Sequence, residues 1–243
     1  LAGSESAYTN WSAGGANNIA LLGAIVTDNT FYSKNFNYRI RSTIRLGQNR
    51  LEGEGFRKSD DLFRITNKLK YFLYEEILSA YGEVIFRTQF LNGLEDDNKT
   101  VISAFMAPGF LTESVGLSYD PSSELAIQTG LALRQTFVRI DSLDQLYGFK
   151  EDQDIRAEGG LQVIVEIEKE IFKNFVYKAE LETFSNLLIS LKSTDVIFNN
   201  EFRGKINSFM EAVVDFDLIY DDDFSKQVQT RRIIGLGLNV KIL

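Results

Sequence analysis

Cysteine and histidine are both missing from this chain. Without cysteine there is neither a disulfide framework nor a thiolate metal site. Without histidine the usual general base and the commonest metal ligand are gone, and a Ser-His-Asp triad cannot be assembled. Proline is nearly absent, with Pro108 and Pro121 the two copies, and Trp11 is the single tryptophan. Positive charge is in deficit: the formal net charge is −8, which argues against nucleic acid, whose phosphates need a basic footprint. Long apolar runs are lacking too. The longest, Ile19 to Val26, is broken by Gly23 and is too short for a membrane-crossing helix. Mean hydropathy is only −0.12. A strand-built membrane protein is compatible with that value, because half of each of its strands is polar.

What the chain has is a two-residue rhythm. Between 36 and 46, Phe36, Tyr38, Ile40, Ile44 and Leu46 fall on one face of an extended strand, and Asn37, Arg39, Arg41, Thr43 and Arg45 on the other. Eleven such residues reach roughly 36 Å untilted and about 25 Å at a 45° tilt, the depth of a bilayer. The rhythm recurs over 17–26, 62–74, 80–92, 109–119, 125–138, 159–171, 175–186, 194–204, 209–220 and the final stretch from Ile234 to Ile242. Most of these segments oppose an aliphatic or aromatic face to one that carries polar or charged residues. No boundary or low-complexity tract interrupts them, so 1–243 reads as a single domain.

Connections alternate between short ones (74–77, 120–124, 172–174, 205–208) and longer polar ones (47–60, 92–108, 139–157, 187–193, 221–227), with both prolines expected in them. Aromatic residues gather at strand ends. Phe36, Tyr38, Tyr71, Tyr119, Phe175 and Tyr177 are expected near the short turns, and Phe63, Phe90, Phe184 and Tyr220 near the long loops. Alternating loop length and paired aromatic girdles are features of outer-membrane barrels. Loop parity then requires a rising strand before Asn17, with at least its upper end within Leu1 to Tyr8, since an open edge in lipid is prohibitively costly. The expected fold is all-β: a closed, antiparallel, up-and-down transmembrane β-barrel of about 12 strands in the bacterial outer membrane. A soluble up-and-down barrel alternates equally well with its apolar face inward. Strand length, aromatic placement and the density of charge on the second face favour lipid outside.

Asn10-Trp11-Ser12-Ala13-Gly14-Gly15-Ala16-Asn17 resembles the N-W-x-x-G-G-x-N motif of an uncharacterised family of Bacteroidetes outer-membrane proteins. Lys58-Ser59-Asp60-Asp61, Arg87-Thr88-Gln89-Phe90, Ala107-Pro108-Gly109-Phe110 and Tyr220-Asp221-Asp222-Asp223 resemble further stretches in the same order. The resemblance implies an outer-membrane fold and location, with a strand before the tryptophan motif, and no reaction. Such chains usually finish on an aromatic residue, whereas this one finishes Lys241-Ile242-Leu243.

The face opposite the apolar one carries the candidate functional residues. Early strands contribute Arg39, Arg41, Arg45, Arg64, Lys68, Lys70, Arg87 and, further on, Arg134. Late strands contribute Glu166, Glu168, Glu180, Glu182, Glu201, Asp215 and Asp217. In a closed barrel these arcs face each other, either locked in a salt-bridge lattice that fills the interior or setting a transverse field across a narrow water channel. Between eight-stranded barrels, filled by side chains, and sixteen-stranded aqueous pores, twelve strands are intermediate.

Acidic loop clusters at Asp96-Asp97, Asp152 with Asp154, and Asp221-Asp222-Asp223 lack the spaced pattern of a calcium loop and read as solvated charge facing lipopolysaccharide. Gly14-Gly15 and Gly159-Gly160 precede no helix and read as points of close backbone approach, not as a phosphate loop. No cofactor, metal or catalysis is expected. The expected partners are outer-membrane lipids, lipopolysaccharide and a protein of an envelope complex. The leading expectation is a non-enzymatic structural or accessory subunit with a blocked interior; the alternative is a small diffusion channel with a charge-divided lumen.

Overall fold

The computed structural model describes residues 2–6, 18–51, 53, 55–95, 99–150, 153, 155–187, 194–221 and 225–238. Its architecture is antiparallel and all-β apart from two short 3₁₀ turns. The wall consists of β1 (Ala2–Ser6), β2 (Asn18–Tyr32), β3 (Phe36–Leu51), β4 (Arg57–Tyr74) and β5 (Leu78–Thr88), a loop hairpin of β6 (Gly93–Leu94) and β7 (Val101–Ser103), then β8 (Gly109–Ser122), β9 (Leu125–Phe137), β10 (Ile155–Phe172), β11 (Phe175–Asn186), β12 (Thr194–Lys205), β13 (Met210–Asp221) and β14 (Ser225–Leu238). Each wall strand pairs with its sequence neighbours, β5 pairs with β8 across the hairpin, and β1 pairs with both β2 and β14, so the ladder returns on itself as a ring. The joint between β1 and β14 comprises two residue pairs, Ala2 with Gly237 and Gly3 with Leu236.

The alternation resolves with the apolar face outward. Ile234 (75% exposed), Val115 and Leu131 (both 63%) stand free on the outer surface, as do Leu69, Leu117, Leu133, Phe175 and Leu236. The opposite face is withdrawn: Lys68, Glu83, Gln128, Arg134, Gln162, Glu182 and Asp217 are buried. A water-soluble barrel would reverse this arrangement, because burying the aliphatic face is what would stabilise it.

Every strand expected from periodicity is present, and most are longer than expected. β2 continues to Tyr32 because Asp28 and Thr30 keep the inward polar rhythm and meet Arg41 and Arg39 across the ladder. β3 and β4 both extend upward, so the connection expected over 47–60 shrinks to 52–56. β5 stops earlier than expected, at Thr88. There the side chain turns to the following loop, its hydroxyl donating to the Pro108 carbonyl at 3.0 Å and accepting the Met106 N–H at 3.0 Å. Pro108 lies in a connection as expected, but Pro121 does not: it falls inside the last turn of β8, at the register shift between Tyr119 and Ser122, where a missing N–H breaks no regular pairing. The β5–β8 and β9–β10 loops carry their own small core, Ala104, Ala107 and Leu143 with Val101, Val138, Ile140 and Tyr147 against it.

One girdle position turns out differently. Phe63 and Phe90 do join Phe86 and Phe105 in an outward aromatic cluster, with ring centroids 5.1 Å apart for Phe63–Phe90 and 6.3 Å for Phe90–Phe105. Phe184, however, is 1% exposed and points inward. Strand alternation puts it on the same face as Glu180 and Glu182, so the expectation contradicted the period that placed its neighbours. Tyr38 and Tyr177 are outward, and each donates its hydroxyl to an outward amide on the adjacent strand: Tyr38 to Asn67 Oδ1 at 2.9 Å and Tyr177 to Asn200 Oδ1 at 2.7 Å. A tyrosine thus covers each of two polar interruptions in an apolar face.

The tryptophan motif at 10–17 and the acidic pairs at Asp96-Asp97 and Asp152 with Asp154 lie outside the described residues, as do Asp222 and Asp223.

Candidate functional site: a charged interior cavity

The interior is divided unevenly. Beneath β5, β8, β9 and β10 many inward side chains are small or amide-bearing, among them Ser79, Ser114, Ser118, Gln128 and Gln162, and these are almost wholly buried together with Tyr81, Ile85 and Ile164. Backbones approach closely here: a Cβ on Gly116 would lie 2.1 Å from the Thr129 carbonyl oxygen, and one on Gly160 would lie 2.4 Å from that of Ser185. Against the remaining wall lies a cavity of about 1390 Å³. It is lined near the short turns by Glu76, Ile77 and Ser122 to Leu125, and toward the opposite end by Asp60, Asp195 and Asp221, so it runs between the two rims. Among the described residues of the 89–108 and 138–154 loops, none lines it.

All fifteen sequence-selected charges line this cavity: Arg39, Arg41, Arg45, Arg64, Lys68, Lys70, Arg87, Arg134, Glu166, Glu168, Glu180, Glu182, Glu201, Asp215 and Asp217. Their pairing is more interlocked than two opposed arcs. Some charges are satisfied along the wall. Arg39 pairs with Asp28, Arg45 with Asp60 at 3.1 Å, Lys70 with Asp120 at 2.7 Å, Glu168 with Lys178 at 2.7 Å and Glu201 with Arg203 at 2.9 Å. Others reach across the interior. Arg64 Nη1 on β4 meets Glu180 Oε1 on β11 at 2.7 Å, five places away in the strand ring. The Lys68 ammonium, 5% exposed, lies between Glu83 on β5 at 3.0 Å and Glu166 on β10 at 3.4 Å. Arg231 on β14 joins Asp217 on the adjacent strand to Asp60 on β4, the latter at 2.6 Å.

The remaining cations are stabilised differently. Arg134 pairs with Asp195 and lies over the Phe184 ring, 4.1 Å from its centroid, which is why that aromatic belongs inside. Arg87 lies 4.8 Å from the centroid of Phe110. Arg41 has no ion-pair partner among the described residues, Glu182 accepts from Gln162 Nε2 at 3.0 Å, and Asp215 has a buried Oδ1 without a hydrogen-bond partner. A charge in a dry interior without a partner costs several kcal/mol, so Arg41 and Asp215 belong in a water-filled space.

Sequence reasoning passed over Asp28, Asp60, Asp120, Asp195 and Arg231 as interior charges. Asp195 and Arg231 share the inward period of Glu201 and of Gly235, so the alternation could have found them. Asp28 lies beyond the expected end of the strand over 17–26, and Asp60 and Asp120 were assigned to connections that the strands in fact traverse. Among the described residues no group of three or more carboxylates is arranged to hold a metal ion.

A family described as a protein of unknown function (DUF3078) matches residues 4–94, which run from β1 to β6. Among curated proteins, none matches the chain. Three solved structures are similar to it over most of their length. A structure described as the KdgM porin shares 10% identity, covering 99% of this chain and 96% of that one, with a TM-score of 0.39. A NanC porin shares 9% identity, covering 98% of each chain, with a TM-score of 0.41. The COG4313 outer membrane channel from Pseudomonas putida F1 shares 10% identity, covering 92% of this chain and 83% of that one, with a TM-score of 0.44. These neighbours are porins and an outer-membrane channel.

Proposed function

We propose that this chain is a closed twelve-stranded barrel of the bacterial outer membrane that works as a small diffusion channel for hydrophilic solutes, with a preference for cations. The observation that carries the reading is the cavity of about 1390 Å³ that touches both rims and is lined by charge. Its lining holds fifteen Asp and Glu against ten Arg and Lys, so the lumen carries net negative charge and concentrates cations. The bilayer reading is supported by the exposed aliphatic wall, whose sidedness suits lipid outside and water inside. Outer-membrane lipids would meet that wall, and lipopolysaccharide the loops above it.

The accessory-subunit expectation was motivated by a blocked interior, and the cavity removes that motive. The bridges from Arg64 to Glu180 and from Lys68 to Glu166 narrow the passage without filling it. In this reading they set the size limit, and the uncompensated carboxylates set the ionic preference.

Purified protein in planar bilayers should give steady openings in symmetric potassium chloride. Under a salt gradient its reversal potential should take the sign of cation selectivity. Electrically silent insertions would remove the channel reading, and an anion-selective pore would remove the electrostatic argument.

A further inference from the structure

The outer wall carries two mid-strand ionisable groups of opposite sign, on opposite sides of the ring. Glu113 is the fifth residue of β8 and projects outward with Leu111, Val115 and Leu117. It is exposed, and among the described residues it has neither an ion-pair nor a hydrogen-bond partner. It sits in a shallow outward hollow of about 450 Å³ framed by Gly82, Val84, Val115, Leu131 and Leu133. The hollow exists because Gly82 has open space where a side chain would stand. Arg232 is the eighth residue of β14 and projects outward beside Ile234, its guanidinium 6.0 Å from the centre of the Phe216 ring. β8 and β14 lie six places apart in the ring of twelve.

We propose that this barrel associates with further copies of itself in the membrane, the Arg232 ridge of one copy seating in the Glu113 hollow of the next. Three features favour a second copy over another occupant. A carboxylate and a guanidinium each held against acyl chains are costly, and both costs fall when the two groups meet. The shapes correspond: the exposed Arg232 and Ile234 stand out from one wall, and the opposite wall carries the hollow left at Gly82. Both groups lie away from the strand ends, so copies inserted with the same orientation bring them to comparable depth. Because the two patches differ and lie on opposite walls, the contact is head-to-tail and extends into rows instead of closing into a two-fold dimer. The inference uses the outward face alone and stands whether or not the lumen conducts.

The test is charge exchange in the full-length protein reconstituted in lipid vesicles, with association read by energy transfer between copies labelled at an introduced loop cysteine. The chain has no cysteine of its own, so labelling is specific. Wild type should associate. E113R and R232E should each lower the association constant at least tenfold, and E113R/R232E together should restore it. E113Q removes a charge from the lipid-facing wall, so it should keep the barrel folded while losing association. A monomeric wild type, or a double exchange that fails to restore association while remaining folded, overturns the proposal. So does thiol cross-linking through E113C alone, which would place two hollows face to face.

Discussion

Cutting the bridge between Arg64 and Glu180 from either side should shift ion selectivity in opposite directions. The two groups meet at 2.7 Å across the cavity, with about a fifth of each side chain exposed (21% and 23%), so water reaches both. Arg64→Ala leaves the Glu180 carboxylate uncovered in the lumen. A unit charge attracts a cation at 4 Å by about 1 kcal/mol in water, roughly a fivefold local enrichment. The cation-to-anion permeability ratio should therefore rise by about that factor. Glu180→Ala uncovers the guanidinium instead, but Glu182 and Glu83 also act on Arg64, so the ratio should fall by less. Either truncation removes bulk that reaches across the cavity, so conductance should rise in both.

The stability cost should be about 2 kcal/mol for either single change, between the values for exposed and buried pairs, because each strands one half-covered charge. The measurements are reversal potential under a potassium chloride gradient and single-channel conductance in planar bilayers. A shift of the same sign in both variants, or unchanged conductance in both, would refute the placement of this bridge in the conduction path.

Gly160→Ala should destabilise the barrel by about 1–3 kcal/mol in urea unfolding from vesicles, because its Cβ would lie 2.4 Å from the Ser185 carbonyl oxygen and 2.8 Å from the Phe184 ring, whereas Gly82→Ala, with open space, should be near neutral. Tyr177→Phe should cost about 1 kcal/mol through the lost hydrogen bond to Asn200, and a double-mutant cycle with Asn200→Ala should recover that coupling. Outside the wall, burial pushes the Tyr147 phenol up to about 12, and its hydroxyl donates to the Ile102 carbonyl at 3.0 Å. The folded state holds this proton more tightly than the unfolded chain, so the loop's stability should fall from about pH 10 toward pH 12. An ultraviolet titration should resolve one late-ionising tyrosine that is absent from Tyr147→Phe.

The period-two pattern made the wall legible because each strand has one face in contact with apolar surroundings, and a one-residue slip would exchange the faces along its length. That constraint located Arg39, Arg64, Glu180 and Asp217 on a common interior before any contact was known. It did not reveal their partners. Which acid Arg64 reaches depends on strand tilt and on the collapse of the wall under β5, β8, β9 and β10, and those depend on inward serines and on pairs such as Gly116 with Gly130. The loops were illegible for a related reason. The hairpin of β6 and β7 is held by Lys58 donating to Gln89 at 2.8 Å and to the Leu91 carbonyl at 3.1 Å, and by Asp61 accepting the Phe90 and Leu91 N–H groups, contacts that leave no periodic trace.

Phe184 shows how the two levels of reading conflict. Judged as an aromatic near a strand end, it belongs to a girdle; judged by parity with Glu182, it belongs inside. Parity is the stronger rule here because backbone pleating enforces it residue by residue, whereas a girdle is a preference that one aromatic can forgo when an interior cation offers its ring a partner. Arg134 supplies that partner, 4.1 Å from the ring centre. The inside of this wall therefore tolerates an aromatic wherever a cation faces it. By the same logic Phe110, beneath Arg87, belongs to the cavity lining and not to the outer surface.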